Sequence, residues 1–291
     1  MFDFLLSYSN LFFLMGINAL LALSVYITLK AGLLTMGHAG FMAIGAYVSS
    51  LLSIHTGMPF ILNVIAAMIL AWIIGILIGF PILKLHGVYL AIGTVAFTEL
   101  VRFVVMNMKI TRGALGLTGI PKDSTILHVL IALCLIIYFF IVYEKSQFGR
   151  TLIAIGEDET AARALGIKVT FHKVFAFSTG AAIAGLAGAI SSHYTYIISP
   201  KEYGFHMAVT ILLFTLFGGV RNIWGPILGA IILTSLPEIF RWLGDFRLLI
   251  YGTSLLIIVL FLPKGIIEIF YRRKEQKLNK KVVEEQQYVG S

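Results

Sequence analysis

The sequence predicts an all-α protein: a polytopic integral membrane helical bundle of about nine spans (roughly 8–10), N-terminus outside and C-terminus inside. Two observations carry this. Hydrophobic residues make up 59% of the chain and the mean hydropathy is +0.94, whereas only 12% of residues are charged, about half the share of a soluble domain. The apolar runs are also long, and alternating segments of about ten residues are absent, so the spans are helices and not barrel strands.

A bilayer core takes about 20 apolar residues per helix. Windows of this kind fall at 9–29, 33–54, 60–83, 87–107, 126–143, 172–194, 206–220, 225–241 and 247–263. Several later windows are short, which leaves two of them open to being re-entrant or tilted. The first ten residues contain Asp3 and no Lys or Arg, unlike a cleaved signal, so the first window reads as a retained span. The single cysteine, Cys134, lies inside an apolar run and reads as inert packing.

Charge orients the set. With the C-terminus inside, the inner side holds Lys30, Lys84, Lys145, Arg150, Arg163, Lys168, Lys173, Arg221, Lys264 and the tail cations Arg272, Arg273, Lys274, Lys277, Lys280 and Lys281. Fewer fall outside: Lys109, Arg112, Lys122, Lys201, Arg241 and Arg247. The net charge of +8 is concentrated in the tail, a topology determinant beside anionic lipid and not a nucleic-acid surface. Residues 1–265 read as one transmembrane domain and 266–291 as a basic, partly disordered cytoplasmic tail.

The longest polar, helix-favouring stretch between apolar blocks runs from Ser146 to Ile167. Helix formers sit at nearly every position of 151–165, and Gly166 stops the helix. On the orientation above this segment is cytoplasmic.

Residues 32–50 are rich in glycine. Ala39, Ala43, Ala46 and Ser50 form a small-residue stripe that lets another backbone approach, while Gly32, Gly37 and Gly40 weaken the helix before it. Two readings stand: a broken helix lining a path, with Thr35 and His38 as its polar lining, or tight packing with a turn at the cytoplasmic side. Gly180, Ala184, Gly188 and Ser192, beside Ala181, Gly185 and Ala189, mark a second helix packed on both faces. It follows the polar segment directly and so can carry movement into the bundle.

Glu99 and Arg102 stand three apart on one helix face, where an intramembrane charge needs a partner or water. They line the outer half of a pathway or form a structural pair near the interface. Asn18, Thr94 and Thr98 are further candidates, and His193, Tyr194 and Tyr196 read as an outer interfacial belt. The chain has no G-x-x-x-x-G-K-[ST] loop, no H-E-x-x-H and no Cys/His cluster at metal-ligand spacing. It reads as a non-enzyme that holds no cofactor or metal, and any ATP used would be hydrolysed elsewhere.

Several blocks together resemble the LivM-type permeases of branched-chain amino acid ABC importers. They are Ala31–Tyr47, Tyr89–Glu99, Thr111-Arg112-Gly113 to Gly119-Ile120-Pro121, Gly149–Gly166 with Glu159, Ala161, Ala162 and Gly166, Phe217–Pro226, Leu236-Pro237-Glu238 and Phe261–Gly265. The resemblance departs at Gly156–Glu159, where the family often has Arg-x-Asn-Glu, but the acid and the paired alanines remain. It implies a multi-pass permease subunit in a bacterial or archaeal cytoplasmic membrane. Its implied partners are a second homologous permease subunit as heterodimer, two cytoplasmic ATPase subunits that bind ATP and Mg, an extracytoplasmic substrate-binding protein and membrane lipid, with no nucleic acid.

The same resemblance makes 146–167 the coupling segment. Glu159 to Leu165 would be a short helix seated on the ATPase. Ala161 and Ala162 allow close approach, Arg150 and Arg163 offer charge contacts, and Gly166 turns the chain back. Substrates implied are leucine, isoleucine and valine; the alternatives are another amino acid, an amide or urea carried by the same importer type, or an ion-coupled secondary transporter.

Overall fold

The computed structural model describes residues 8–240 together with 252 and 253. Ten α-helices are described: α1 (Ser9–Lys30), α2 (His38–Thr56), α3 (Phe60–Ile82), α4 (Val88–Asn107), α5 (Ile126–Lys145), α6 (Gln147–Glu157), α7 (Glu159–Ala164), α8 (Val169–Thr195), α9 (Phe205–Gly218) and α10 (Trp224–Ile239). Six of them (α1–α5 and α8) are long and apolar enough to cross a membrane, and α9 and α10 are shorter apolar helices. The protein is an all-α integral membrane bundle. The window at 247–263 and the tail 266–291 lie outside the described residues, apart from 252 and 253.

The helix ends follow from local chemistry. Gly57, at φ +60°, closes α2 in the left-handed conformation. Thr125 and His128 form a reciprocal capping box at the start of α5. Ser146 accepts the Gly149 N–H at 3.1 Å and so starts α6. The single helix expected over 151–165 is instead two. Asp158 leaves helical geometry and its carboxylate accepts the N–H groups of Thr160 (2.8 Å) and Ala161 (3.0 Å), which ends α6 and caps α7. An aspartate that can satisfy backbone donors locally prefers a cap to a helix interior.

The 27-residue α8 is the central rod, packed against α1, α2 and α3. Its two small-residue faces are used as backbone contacts. A methyl group on Gly45 of α2 would collide with the Gly185 backbone, and one on Gly188 would collide with the Met42 carbonyl. On the other face a methyl on Gly75 of α3 would come within 2.9 Å of the Ser178 Cα. Such approach is how membrane helices gain packing where lipid offers no hydrophobic contrast. α9 and α10 pack on one another and on α1, and α5 packs on α1. At the end away from Lys30, a two-residue antiparallel pair, β1 (Leu117–Thr118) and β2 (Ile197–Ile198), ties the α4–α5 loop to the segment after α8.

Two side chains, His193 and Cys134, sit elsewhere than expected. His193 is fully buried and belongs to no interfacial belt. It bonds Ser49 Oγ at 3.0 Å and the Pro121 carbonyl at 3.1 Å, and this pairing is what makes its burial tolerable. Tyr194 stacks on Phe13 at a centroid distance of 3.6 Å. Cys134 is exposed on α5 and contributes nothing to the core.

Candidate functional site

The candidate residues form three groups at different depths. The first is the α6–α7 corner at the end of the bundle that holds Lys30, Lys84, Lys145 and Lys168, called the cationic end below. Leu152 and Ile155 of α6 are buried, and Phe148 packs its ring at 4.5 Å from His172 and 4.8 Å from Phe175 of α8. Ile155, Ala162 and Val169 form a small apolar core beneath the corner. Ala162 therefore faces inward, against the expectation that it lies on an open contact surface; only one of two adjacent helical residues can face a given neighbour.

Glu159 bridges the corner. One carboxylate oxygen takes Arg163 at 2.6 Å and the other takes Lys173 of α8. Partial burial alone would raise the Glu159 carboxyl, but the hydrogen bonds and charge of Lys173 and Arg163 outweigh it and hold the group below the usual carboxylate range. Glu159 is thus spent within the chain. The surface left open carries Arg150, Ala161, Arg163 and, at the tip, Leu165 at 82% exposure. Gly166 follows at φ +80°, a conformation that glycine adopts without a Cβ penalty.

Gly156 carries the corner to the bundle. Its Cα faces the Lys30 carbonyl so closely that a methyl group would collide with it, and the same methyl would lie 3.2 Å from the Gly32 nitrogen. Lys30 in turn donates to the Arg221 carbonyl at 3.1 Å and lies 3.8 Å from Glu144, which also accepts from the Tyr26 hydroxyl. The polar segment therefore touches the end of α1 as well as α8.

The second group is the irregular strap 31–37 between α1 and α2. His38 lies level with Gly180 of α8, where a Cβ on residue 180 would come within 2.9 Å of its Nε2. Gly180 is seven residues beyond Lys173 along α8, about 10 Å further in, so α2 starts inside the bundle. Non-helical backbone at such depth needs internal partners. Thr94 Oγ accepts the Met36 N–H at 2.9 Å, and Thr98 Oγ donates to the Met36 carbonyl at 3.1 Å. Thr35, fully buried, sits 3.2 Å from Thr28 Oγ and 3.5 Å from His38 Nδ1. Gly37 and Gly40 lie against Phe97, Thr94 and Thr98. The broken helix is present, but apart from His38 Nε2, which makes no hydrogen bond among the described residues, its polar side chains bind one another or the strap in a packed interior; Thr35, His38, Thr94 and Thr98 are each at most 1% exposed.

The third group is Glu99 and Arg102, paired at 2.7 Å and half-exposed. Glu99 accepts the Phe205 N–H at 2.8 Å. An acid at a helix N-terminus satisfies an orphan donor and the macrodipole together. The pair thus holds the start of α9, about 12 Å along α4 from its Asn107 end. Asn18 stands apart and donates to Thr234 of α10 at 2.9 Å.

Sequence reasoning missed Lys173, Asp158, Gly156 and Leu165 as functional groups. Asp158 carried a readable signal, a capping residue one position before an acidic first turn. The partnership of Lys173 with Glu159 carried none. Among the described residues no cluster of three or more His, Cys, Asp or Glu is placed to hold a metal ion.

The family model described as "Branched-chain amino acid transport system / permease component" matches residues 7–262. The high-affinity branched-chain amino acid transport system permease protein LivM of Salmonella typhimurium is 31% identical over 288 residues, covering 87% of this chain and 66% of its own. The same protein of Escherichia coli matches with the same identity and coverage. The chain therefore spans just under two thirds of the length of these two relatives. The autoinducer 2 import system permease protein LsrC of Yersinia enterocolitica is 30% identical over 175 residues, 53% of this chain and 48% of its own. No solved structure matches.

Proposed function

The chain belongs to the branched-chain amino acid transport permease family, and on that premise we propose that it is the membrane permease subunit of an ATP-binding cassette importer. It moves leucine, isoleucine or valine inward by alternating access, driven by ATPase subunits that bind ATP and Mg on its behalf. Its further partners are a second, homologous permease subunit and an extracytoplasmic binding protein. The cationic end faces the cytoplasm, in keeping with the charge bias of the loops.

The observation that carries this reading is the α6–α7 corner. It is held rigidly from within by Glu159, Lys173 and the Phe148 cluster, yet it presents Ala161, Arg163 and Leu165 outward. A rigid support with an exposed apolar tip suits a docking helix for a protein partner. Leu165 and Ala161 supply close apolar contact, Arg150 and Arg163 the flanking charge, and Gly166 the return turn. Because Thr35, His38, Thr94 and Thr98 are packed within the subunit, the path lies on an outward face closed by the second subunit, where half-exposed Glu99 and Arg102 support α9.

Affinity purification of the tagged protein from native membranes tests this. Co-purification of an ATPase and a second permease subunit, lost on Leu165→Asp, is the expected result. A protein that purifies alone and whose uptake follows an ion gradient would identify a secondary transporter instead. The name of the LsrC relative supports a second reading of substrate alone: the same importer carrying another small polar molecule. Competition of labelled leucine uptake by other amino acids, amides and urea separates the two.

A further inference from the structure

A cleft of about 520 Å³ opens at the cationic end between the last turn of α3 with its following loop and the start of α8 beside α7. Its polar lining is Lys84, His86, Arg163 and Thr170, and no carboxylate is among its lining residues. Glu159 reaches it only through its ion pair with Arg163, whose side chain remains 60% exposed. The apolar lining includes Phe80, which is 55% exposed.

Phe80 continues a stripe. Ile73, Leu77 and Phe80 are each exposed and spaced to share one face of α3, while Gly75 and Gly79 turn the other face onto α8. In a bilayer that outward stripe lies among acyl chains and runs directly into the cationic cleft. One ligand matches both halves: a hydrocarbon chain ending in an anionic phosphate at the level of the membrane surface.

We propose that this cleft binds the phosphate head group of an anionic phospholipid drawn from the surrounding bilayer, with an acyl chain laid along Ile73, Leu77 and Phe80. Lys84 supplies a point charge on a flexible stem, and Arg163 a planar fork that matches a phosphodiester. The Thr170 hydroxyl donates to a phosphate oxygen. Basic pockets between spans on the cytoplasmic side take such head groups in general. The consequence is specific to this chain: a bound head group shares Arg163 with Glu159, so lipid occupancy reaches α7 itself. The assignment goes beyond the transport reading and stands without it.

Native mass spectrometry of the full-length protein, titrated with phosphatidylglycerol, phosphatidylcholine and the tail-less glycerol 3-phosphate, tests the proposal. Phosphatidylglycerol is expected to bind in preference to phosphatidylcholine, and glycerol 3-phosphate is expected not to displace it. Lys84→Gln should weaken phosphatidylglycerol binding about fivefold, the usual effect of one cation near an anionic surface. Lys84→Gln/His86→Gln should weaken it further and Lys84→Arg should retain it, while Lys109→Gln at the opposite end changes nothing. Both substituted side chains are exposed, so the melting temperature should hold. Wild-type affinity in the double variant overturns the site. Equal binding of phosphatidylcholine overturns its charge recognition, and displacement by glycerol 3-phosphate overturns the lipid as its source.

Discussion

Replacing Gly156 by alanine separates the docking of α6 from its intrinsic stability. Alanine is the better helix former by about 1 kcal/mol, so propensity alone would strengthen the last turn of α6. The contact opposes it. The added methyl meets the Lys30 carbonyl, a backbone atom at the end of α1 that cannot rotate away, and lies 3.2 Å from the backbone nitrogen of Gly32. Restoring ordinary contact takes a displacement of about 1 Å, and overpacking of this kind costs about 1–3 kcal/mol. The balance is a net cost of about 0–2 kcal/mol falling on the α6–α1 junction, up to roughly 30-fold in its docked population. Gly166→Ala separates backbone strain from crowding: nothing lies within 4 Å of its added methyl, so its cost is the left-handed backbone alone, about 1–2 kcal/mol. Reconstituted with the ATPase subunits proposed above, Gly156→Ala should insert normally and support ATP hydrolysis, yet import fewer substrate molecules per ATP. Wild-type stoichiometry in Gly156→Ala would refute the argument that movement enters the bundle through Lys30.

Asp158→Ala removes the cap of α7 at a cost of about 1 kcal/mol and leaves two N–H groups unpaired, seen as faster amide exchange at Thr160 and Ala161. Thr94→Val strands the Met36 N–H in the packed interior, costing about 1–3 kcal/mol, while Thr94→Ser should keep it; thermal melting in detergent distinguishes them. The lowered carboxyl of Glu159 fixes a pH dependence. A depressed folded-state value contributes stability that is fully present above the unfolded value near about 4.5 and is lost as pH falls through the folded one. Amide exchange over 158–166 should therefore be flat from about pH 5 to 8 once corrected for intrinsic rates, and protection should fail only in stronger acid. Loss of protection between pH 6 and 7 would assign the corner's stability to another group.

The spans were legible because a bilayer reads length and apolarity, which a sequence states directly; α1 to α5 and α8 start and stop within a few residues of their windows. Gly32 and Gly37 likewise announced a break. What they could not announce was depth. Whether His38 lies at the surface or beside Gly180 depends on how α8 is docked, and that is a tertiary fact. Glu99 and Arg102 were recognisable as a pair by spacing, but their target, the Phe205 N–H, is remote in sequence. His193 was misread because a histidine beside two tyrosines has the composition of an interfacial belt, whereas Ser49 and Pro121 supply partners that composition does not show. Asp158 was the one recoverable miss. Its neighbours are good helix formers, and propensity summed across 151–165 concealed a single residue with a better local use for its carboxylate.

The seam between α2 and α8 has a mechanical consequence. Where Gly45 meets Gly185 and Gly188 meets Met42, main chain lies on main chain with no layer of side chains between. Side chains are the compliant part of a protein interior, since they change rotamer and fill or vacate small voids. A seam without them has almost nothing to compress. Hydrostatic pressure should therefore leave the α2–α8 spacing nearly constant while it shortens distances across α5 and α6, whose contacts run through Phe148, Tyr143 and Leu152. The two helices form the stiff chassis of the molecule, and whatever flexes during a working cycle does so around them.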